Sequence, residues 1–158
     1  MTPADIEALP YRPCVGLCLT NRDGLIWAGE RIDTPGAWQM PQGGIDPGED
    51  IKTAGLRELG EEIGLQPDHV SINGQTADWL PYDLPHDLVP KLWKGRFRGQ
   101  KQMWLHLELL SGDSDITIDT EQPEFSRWQW MFASELLETI VPFKRDIYQA
   151  VLREFHLL

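Results

Sequence analysis

Apolar and polar positions change period several times along the chain, and each change marks a predicted element. From Cys14 to Thr20 the run is mostly apolar, which predicts a buried strand. Asn21-Arg-Asp-Gly24 is a turn signal, Asp-Gly favours a hairpin, and Leu25 to Glu30 is the expected returning strand. Asp33 to Gly36 reads as a loop, and Trp38 to Met40 as a short extended piece stopped by Pro41. Gly43, Gly44, Pro47 and Gly48 predict a tight loop in which backbone can approach a phosphate. Asp50 is placed to cap a helix running to about Ile63, with Gly64 suited to the left-handed position that ends it.

Beyond that helix, a strand is expected near Val70 to Trp79, then a loop rich in proline and histidine from Leu80 to Pro90. A basic stretch leads into a strong strand from Gln102 to Leu110, and Asp113 to Asp115 is a turn. Ile116 and Ile118 alternate with polar residues as an edge strand would, and Trp128 to Phe132 is a further strand. Phe143, Ile147, Val151 and Phe155 recur every four residues, the stripe of an amphipathic closing helix. Met1 to Pro10 reads as a short turn or arm. Strands and helices mix without regular alternation and no repeat is visible, so the expected architecture is α/β in the α+β sense: a mixed sheet packed between helices.

Composition narrows the classes. A chain of 158 residues with 41% apolar and 25% charged positions fits one domain spanning 1–158 with a single substantial core. No apolar run approaches the roughly 20 residues needed to cross a bilayer. Met1 to Leu9 lack the basic and apolar regions of a signal peptide, so a cytoplasmic protein without a membrane partner is expected. Cys14 and Cys18 share a strand face but stand too far apart to bond, and two thiols are too few for a zinc site; both read as buried and reduced. The net charge of −11 argues against a duplex-DNA binder, yet it is compatible with a polyphosphate substrate if carboxylates gather cations that reverse the local field.

The chemistry-bearing segment is residues 43–65, GGIDPGEDIKTAGLRELGEEIGL. Glu58, Glu61 and Glu62 stand at i, i+3 and i+4 on the predicted helix, which puts three carboxylates on one face within about 6 Å of one another. Like charges so close repel and raise one another's pKa. A hard divalent cation resolves that conflict, since it takes oxygen ligands and bridges them to phosphate. For a bare pair of such spacings, a solvated acidic face is the commoner explanation. The surrounding residues change this. Gly43, Glu49, Arg57, Glu58, Glu61, Glu62 and Gly64, with Leu59 and Leu65 at aliphatic positions, reproduce the Nudix box, G-x5-E-x7-R-E-U-x-E-E-x-G-U. A chance match is on the order of one in a hundred million per window.

The chain therefore resembles the Nudix hydrolases. The resemblance implies a mixed β-sheet between helices and hydrolysis of a phosphoanhydride bond. It implies that Glu58, Glu61 and Glu62 bind Mg²⁺ or Mn²⁺, more than one ion, with a carbonyl at Gln42 or Gly43 as a further ligand. Arg57 would pair with Glu49 and fix loop to helix, which agrees with arginine's preference for bidentate carboxylates. Glu61, Glu62 or an outside carboxylate, Glu124, would take the proton of the attacking water. Gly55 and Gly60 depart from good helix formers, at about 1 kcal/mol each relative to alanine.

The resemblance reaches beyond the box. Tyr11-Arg-Pro-Cys-Val-Gly16, Trp38-Gln-Met-Pro-Gln-Gly-Gly44, Gly99-Gln-Lys-Gln-Met-Trp104, Pro123-Glu-Phe125 with Trp128-Gln-Trp130, and Val141-Pro-Phe-Lys-Arg145 are similar to segments of the bacterial RNA pyrophosphohydrolases. Those are kin of the hydrolases that split diadenosine tetraphosphate into ATP and AMP, and Trp27 to Arg31 with the loop through Pro35 lie closer to that branch. Two substrates follow: 5′-triphosphorylated single-stranded RNA, whose loss of pyrophosphate would open the transcript to decay, or a dinucleoside polyphosphate. By the same resemblance Arg12 and Arg31 would meet phosphates, Phe143 would stack on a base with Lys144 beside it, and Gln42 would face substrate. Phe143 fits the apolar face of the last helix equally well. Lys91, Lys94, Arg96, Arg98 and Lys101 interleave with Trp93 and Phe97, a combination suited to polyphosphate or single-stranded RNA as well as to a solvated loop. A binding module without turnover is the remaining class; the presence of Glu49, Glu58, Glu61 and Glu62 together argues against it.

Overall fold

The computed structural model describes residues 1–158. Its centre is a pair of long parallel strands, β1 (Tyr11–Thr20) and β7 (Gly99–Leu109), registered Tyr11 to Gly99 through Thr20 to Glu108. The other strands are antiparallel to their neighbours: β2 (Ile26–Arg31), β3 (Trp38–Gln39), β4 (Gln42–Gly44), β5 (Val70–Gln75), β6 (Leu80–Asp83) and β8 (Phe125–Met131). The main order is β3-β2-β1-β7-β5; β4 adds to β1, β6 to β7 and β8 to β2. The hairpin at Asn21 forms as expected, but β1 and β2 share only the Thr20–Ile26 pair before they diverge. Into that gap β4 pairs with Cys14, Val15 and Gly16.

Both faces of the sheet are covered, which explains why β1 reads as a continuous apolar run. Val15, Leu17 and Leu19, with Leu105 and Leu107 of β7, face the helix α2 (Ile51–Ile63) through its Ala54, Leu59 and Ile63. Cys18 and Trp104 point to the opposite face. There they meet α1 (Pro3–Glu7), α3 (Ala133–Thr139) and α4 (Arg145–Glu154) through Ile6, Leu136, Tyr148, Val151 and Leu152. Each fully buried aliphatic side chain in these layers contributes roughly 1.5–3 kcal/mol relative to exposure. Cys14 and Cys18 are buried free thiols, as expected. No helix is long and apolar enough to cross a membrane.

α2 is bounded as the sequence predicts. The Asp50 side chain accepts the Thr53 N–H at 2.7 Å, and Gly64 closes the helix at φ 74°. Gly55 is no weak point: a Cβ there would collide with Leu105, so the missing side chain is what lets α2 lie close on the sheet. Several expectations need correction. Gly43 and Gly44 are not loop but belong to strand β4, and the turn begins after them. Pro81 does not prevent a strand, because β6 lies at a sheet margin where its missing N–H is harmless. Ile116 and Ile118 form no strand; Thr117 makes one backbone bond, to Ile63, while Ile116 packs into the core. Phe143 precedes the closing helix, in the 3₁₀ turn Pro142–Lys144. Met1 to Pro10 contain the capped helix α1, and α3 was not signalled at all.

Candidate active site

α2 presents its three carboxylates at graded depth. The side chains of Glu61 and Glu58 are 58% and 12% exposed, and Glu62 as a residue is only 4% exposed. Burial pushes the Glu62 carboxyl well above the ordinary carboxylate range, and the neighbouring charges of Glu58, Glu124 and Glu61 push it further. The Gln42 backbone N–H opposes this weakly but does not reach hydrogen-bond geometry, so neither Glu62 oxygen has a partner. Glu58 is likewise raised, first by desolvation.

Arg57 organises what surrounds them. Its Nε and Nη2 donate to the two oxygens of Glu49 at 2.9 and 2.8 Å, the bidentate pair that was expected. Nη2 also donates to the Gly44 carbonyl at 2.9 Å, and Nη1 donates to Glu58 at 2.9 Å and Glu61 at 3.3 Å. One guanidinium thus ties the loop after β4 to two of the three helix carboxylates. Its hydrogen bonds hold the Glu49 carboxyl down at about 2. β4 passes so close that a Cβ on Gly43 would fall inside the Glu58 carboxylate.

Two cavities of about 420 Å³ each open here. One has no hydrophobic residue in its wall: Glu58, Glu61, Glu62 and Glu124 line it together with Glu121 and Gln122. The other is lined by Arg12, Arg31, Gln42, Tyr82, Phe143 and Lys144, among others. They share Glu58, Glu61 and Glu124 as walls, so they form one cleft with an acidic end and a cationic, aromatic end. The five cations from Lys91 to Lys101 stand outside its lining; of the other sequence-predicted site side chains, all except Glu49 and Arg57 line this cleft, and those two brace it from behind.

At the cationic end Arg31 leaves β2 and pairs with Asp33 at 2.6 Å. Arg12 enters on β1, with its guanidinium 5.3 Å from the Trp93 ring centroid. Lys144 is the unusual member, at 3% exposure with no carboxylate partner; its Nζ donates to Gln39 Oε1 at 3.4 Å and lies 5.8 Å from the Tyr82 ring centroid. Burial, then the nearby Arg31 charge, brings its pKa down to about 8. A buried, unpaired ammonium is costly unless an anion joins it. Phe143 is half-buried and tilts against Tyr82 with ring centroids 5.8 Å apart, so it both packs on the core and faces the cleft.

The sequence reading missed Tyr82, Gln39, Gln100 and Gln102. Gln39, Gln100 and Gln102 lie in segments that carried the resemblance but had no local pattern to mark a role, and Tyr82 is brought in by the β6–β7 pairing, opposite Gln100. Gln102 is fully buried and its orientation is fixed: the indole N–H of Trp104, which can only donate, bonds its Oε1 at 2.9 Å. Gln102 Nε2 then donates to Gln42 Oε1 at 3.0 Å and Gln100 Oε1 at 2.8 Å. Gln42 Nε2 itself donates to Gln100 Oε1 at 3.3 Å, which leaves Gln42 one amide N–H suited to a phosphate oxygen.

The donor set fits hard divalent cations. It is made of carboxylate oxygens, one of them buried with both oxygens unpartnered, and no soft ligand stands among the cleft-lining side chains at the acidic end. No three acidic, histidine or cysteine side chains close on a single point; Arg57 draws Glu58 and Glu61 toward itself.

Comparison with known proteins agrees. The NUDIX domain model matches residues 10–151. The chain is 58% identical over 156 residues to a protein of Roseobacter denitrificans named RNA pyrophosphohydrolase, covering 98% of each. It is 51% identical over 156 residues to one of the same name in Dinoroseobacter shibae, again 98% of each. Among solved structures, the E. coli dihydroneopterin triphosphate pyrophosphohydrolase superimposes with a TM-score of 0.72 at 17% identity, over 92% of this chain and 99% of that one. A C. elegans Ap4A hydrolase gives 0.65 at 17%, over 90% and 98%. At such identities the structures speak for the fold alone, while the matched domain and the close relatives settle the family: the chain belongs to the NUDIX domain family.

Proposed function

We propose that this chain, one domain over residues 1–158, removes pyrophosphate from the 5′ end of triphosphorylated RNA, with a water attacking phosphorus. The observation that carries this reading is the cleft with two ends: a polyphosphate gripped at the cationic end meets the carboxylates of α2 at the shared wall. The RNA pyrophosphohydrolase name of relatives 58% and 51% identical supports RNA over a dinucleoside polyphosphate.

Glu58, Glu61 and Glu62 would hold Mg²⁺ or Mn²⁺, more than one ion, with a backbone carbonyl at Gln42 or Gly43 as a further donor. Bound divalent cations supply the charge that neutralises phosphate oxygens and acidifies water. Arg12, Arg31 and Lys144 orient the phosphate chain, and Gln42 donates to its oxygens. Tyr82 and Phe143 give the base an aromatic surface. Glu124 accepts the proton of the attacking water; it stands on the wall common to both cavities and, unlike Glu61, is not held by Arg57. The new P–O bond forms as the bond to the departing pyrophosphate oxygen breaks. Positioning and charge stabilisation carry the rate, as phosphoryl transfer requires. Product analysis tests this: RNA carrying labelled β- and γ-phosphates should release labelled pyrophosphate, or two successive phosphates, and leave a 5′-monophosphate. No release from the RNA would refute it.

A further inference from the structure

The segment from Leu88 to Gly99 borders the cationic end of the cleft, and its backbone is unusual. Trp93, Lys94 and Gly95 all have positive φ, at 46°, 59° and 69°. Two of these are not glycine, and for a tryptophan this conformation is strained. The loop is held there by short turns, Gly95 N–H to Leu92 O at 2.9 Å and Arg96 N–H to Trp93 O at 3.2 Å. What the strain achieves is position: Trp93 and Leu92 line the cleft, with the Arg12 guanidinium over the indole. Phe97 braces Trp93 edge-on at 6.2 Å.

The five cations of this stretch divide into two groups. Arg98 is committed, paired with Asp83 at 2.6 Å and lying over Tyr11, and Lys101 lies over Trp79. Lys91, Lys94 and Arg96 are exposed and form no ion pair. In a chain of net charge −11, three free cations within three residues of one cleft-lining indole are a local reversal of field. Aromatic platforms between unpaired cations are how proteins hold single-stranded nucleic acid without reading its sequence.

We propose that this loop is the track on which the RNA leaves the cleft: a base downstream of the 5′ end stacks at Trp93, and Lys91, Lys94 and Arg96 meet the phosphates that follow. The track rests on the RNA reading above and adds what would set RNA apart from a dinucleoside polyphosphate, which has a second base but no following phosphodiesters to place on the cations.

Two measurements test it on the intact protein. The first is kcat/KM on a triphosphorylated RNA of about ten nucleotides and on diadenosine tetraphosphate, for wild type, Trp93→Ala, Trp93→Phe and the combined Lys91→Gln, Lys94→Gln, Arg96→Gln protein. The second is binding of a 5′-hydroxyl RNA of the same length by fluorescence anisotropy over a salt series. The combined variant should lose about tenfold on the RNA, through KM, and at least fivefold less on the dinucleotide. Its log–log salt slope should fall by about 2 in magnitude, since each phosphate neutralised on a single strand adds roughly 0.7 to that slope. Trp93→Phe should restore most of what Trp93→Ala loses. RNA kcat/KM and salt slope equal to wild type in both the combined and the Trp93→Ala proteins would overturn the track while leaving the proposed activity standing. So would equal losses on the two substrates. A wild type that binds the 5′-hydroxyl RNA in this salt-dependent way but does not cleave the triphosphorylated one would keep the track and sink the proposed activity. Absence of RNA binding by wild type would remove the track.

Discussion

Gly43 leaves no space for a side chain between its backbone and the Glu58 carboxylate. The residue opens the family motif, and this close approach is the physical reason that a glycine is needed there: β4 and α2 touch at the site itself. Gly43→Ala must push Glu58 or β4 aside by a fraction of an ångström to an ångström. Such misplacement costs roughly a hundredfold in rate. The variant should fold, with a thermal midpoint near wild type, and lose about that factor in kcat. Full activity would show that the close approach does not set the site.

Glu62 is the buried carboxylate that a cation would satisfy. Added Mg²⁺ should raise the thermal midpoint of wild type in a concentration-dependent way, by linkage. Glu62→Gln should abolish turnover and remove most of that shift, without lowering stability in chelator, since a neutral amide replaces a buried carboxyl that has no partner. An undiminished Mg²⁺ shift in Glu62→Gln would place the cation elsewhere.

Lys144 gives a pH dependence. Its folded-state pKa lies below the free value, at about 8, so the ammonium is present below pH 8 and lost as pH rises through it. Phosphate affinity should weaken across about pH 7.5 to 9, and kcat/KM with it. In Lys144→Gln that limb should be absent and KM higher throughout. A variant that keeps the wild-type limb would assign it to another group.

The two helix glycines should behave oppositely. Gly55→Ala forces a Cβ against Leu105 and should destabilise by about 1–3 kcal/mol, the cost of overpacking. A Cβ on Gly60 meets only the Leu65 carbonyl at 3.5 Å, so Gly60→Ala should stabilise by about 1 kcal/mol. Denaturant midpoints measured side by side check both signs.

These glycines show what the chain discloses by itself. The helix from Ile51 to Ile63 was legible because its cap, its carboxylate spacing and Gly64 are local signals, and the acidic end of the site came with it. Gly55 looked like a defect because its reason lies far along the chain, at Leu105 on β7. Ile116 and Ile118 alternate as a strand does, yet the alternation reflects core packing rather than a ladder. β6 was hidden by Pro81, although a marginal strand tolerates proline. The cationic end was visible only through resemblance. Tyr82, Gln102 and Lys144 acquire their roles from burial and from long-range placement on β6, on β7 and in the turn before α4, which no local pattern encodes.

The most direct test compares two substrates with Mg²⁺ present: a short 5′-triphosphorylated RNA and diadenosine tetraphosphate, with Glu62→Gln as the control. The ratio of kcat/KM values measures discrimination between them. A higher value for the RNA, with pyrophosphate or successive phosphates released and no turnover by Glu62→Gln, is the predicted result. A higher value for the dinucleotide, giving ATP and AMP, or equal turnover by Glu62→Gln, would contradict it.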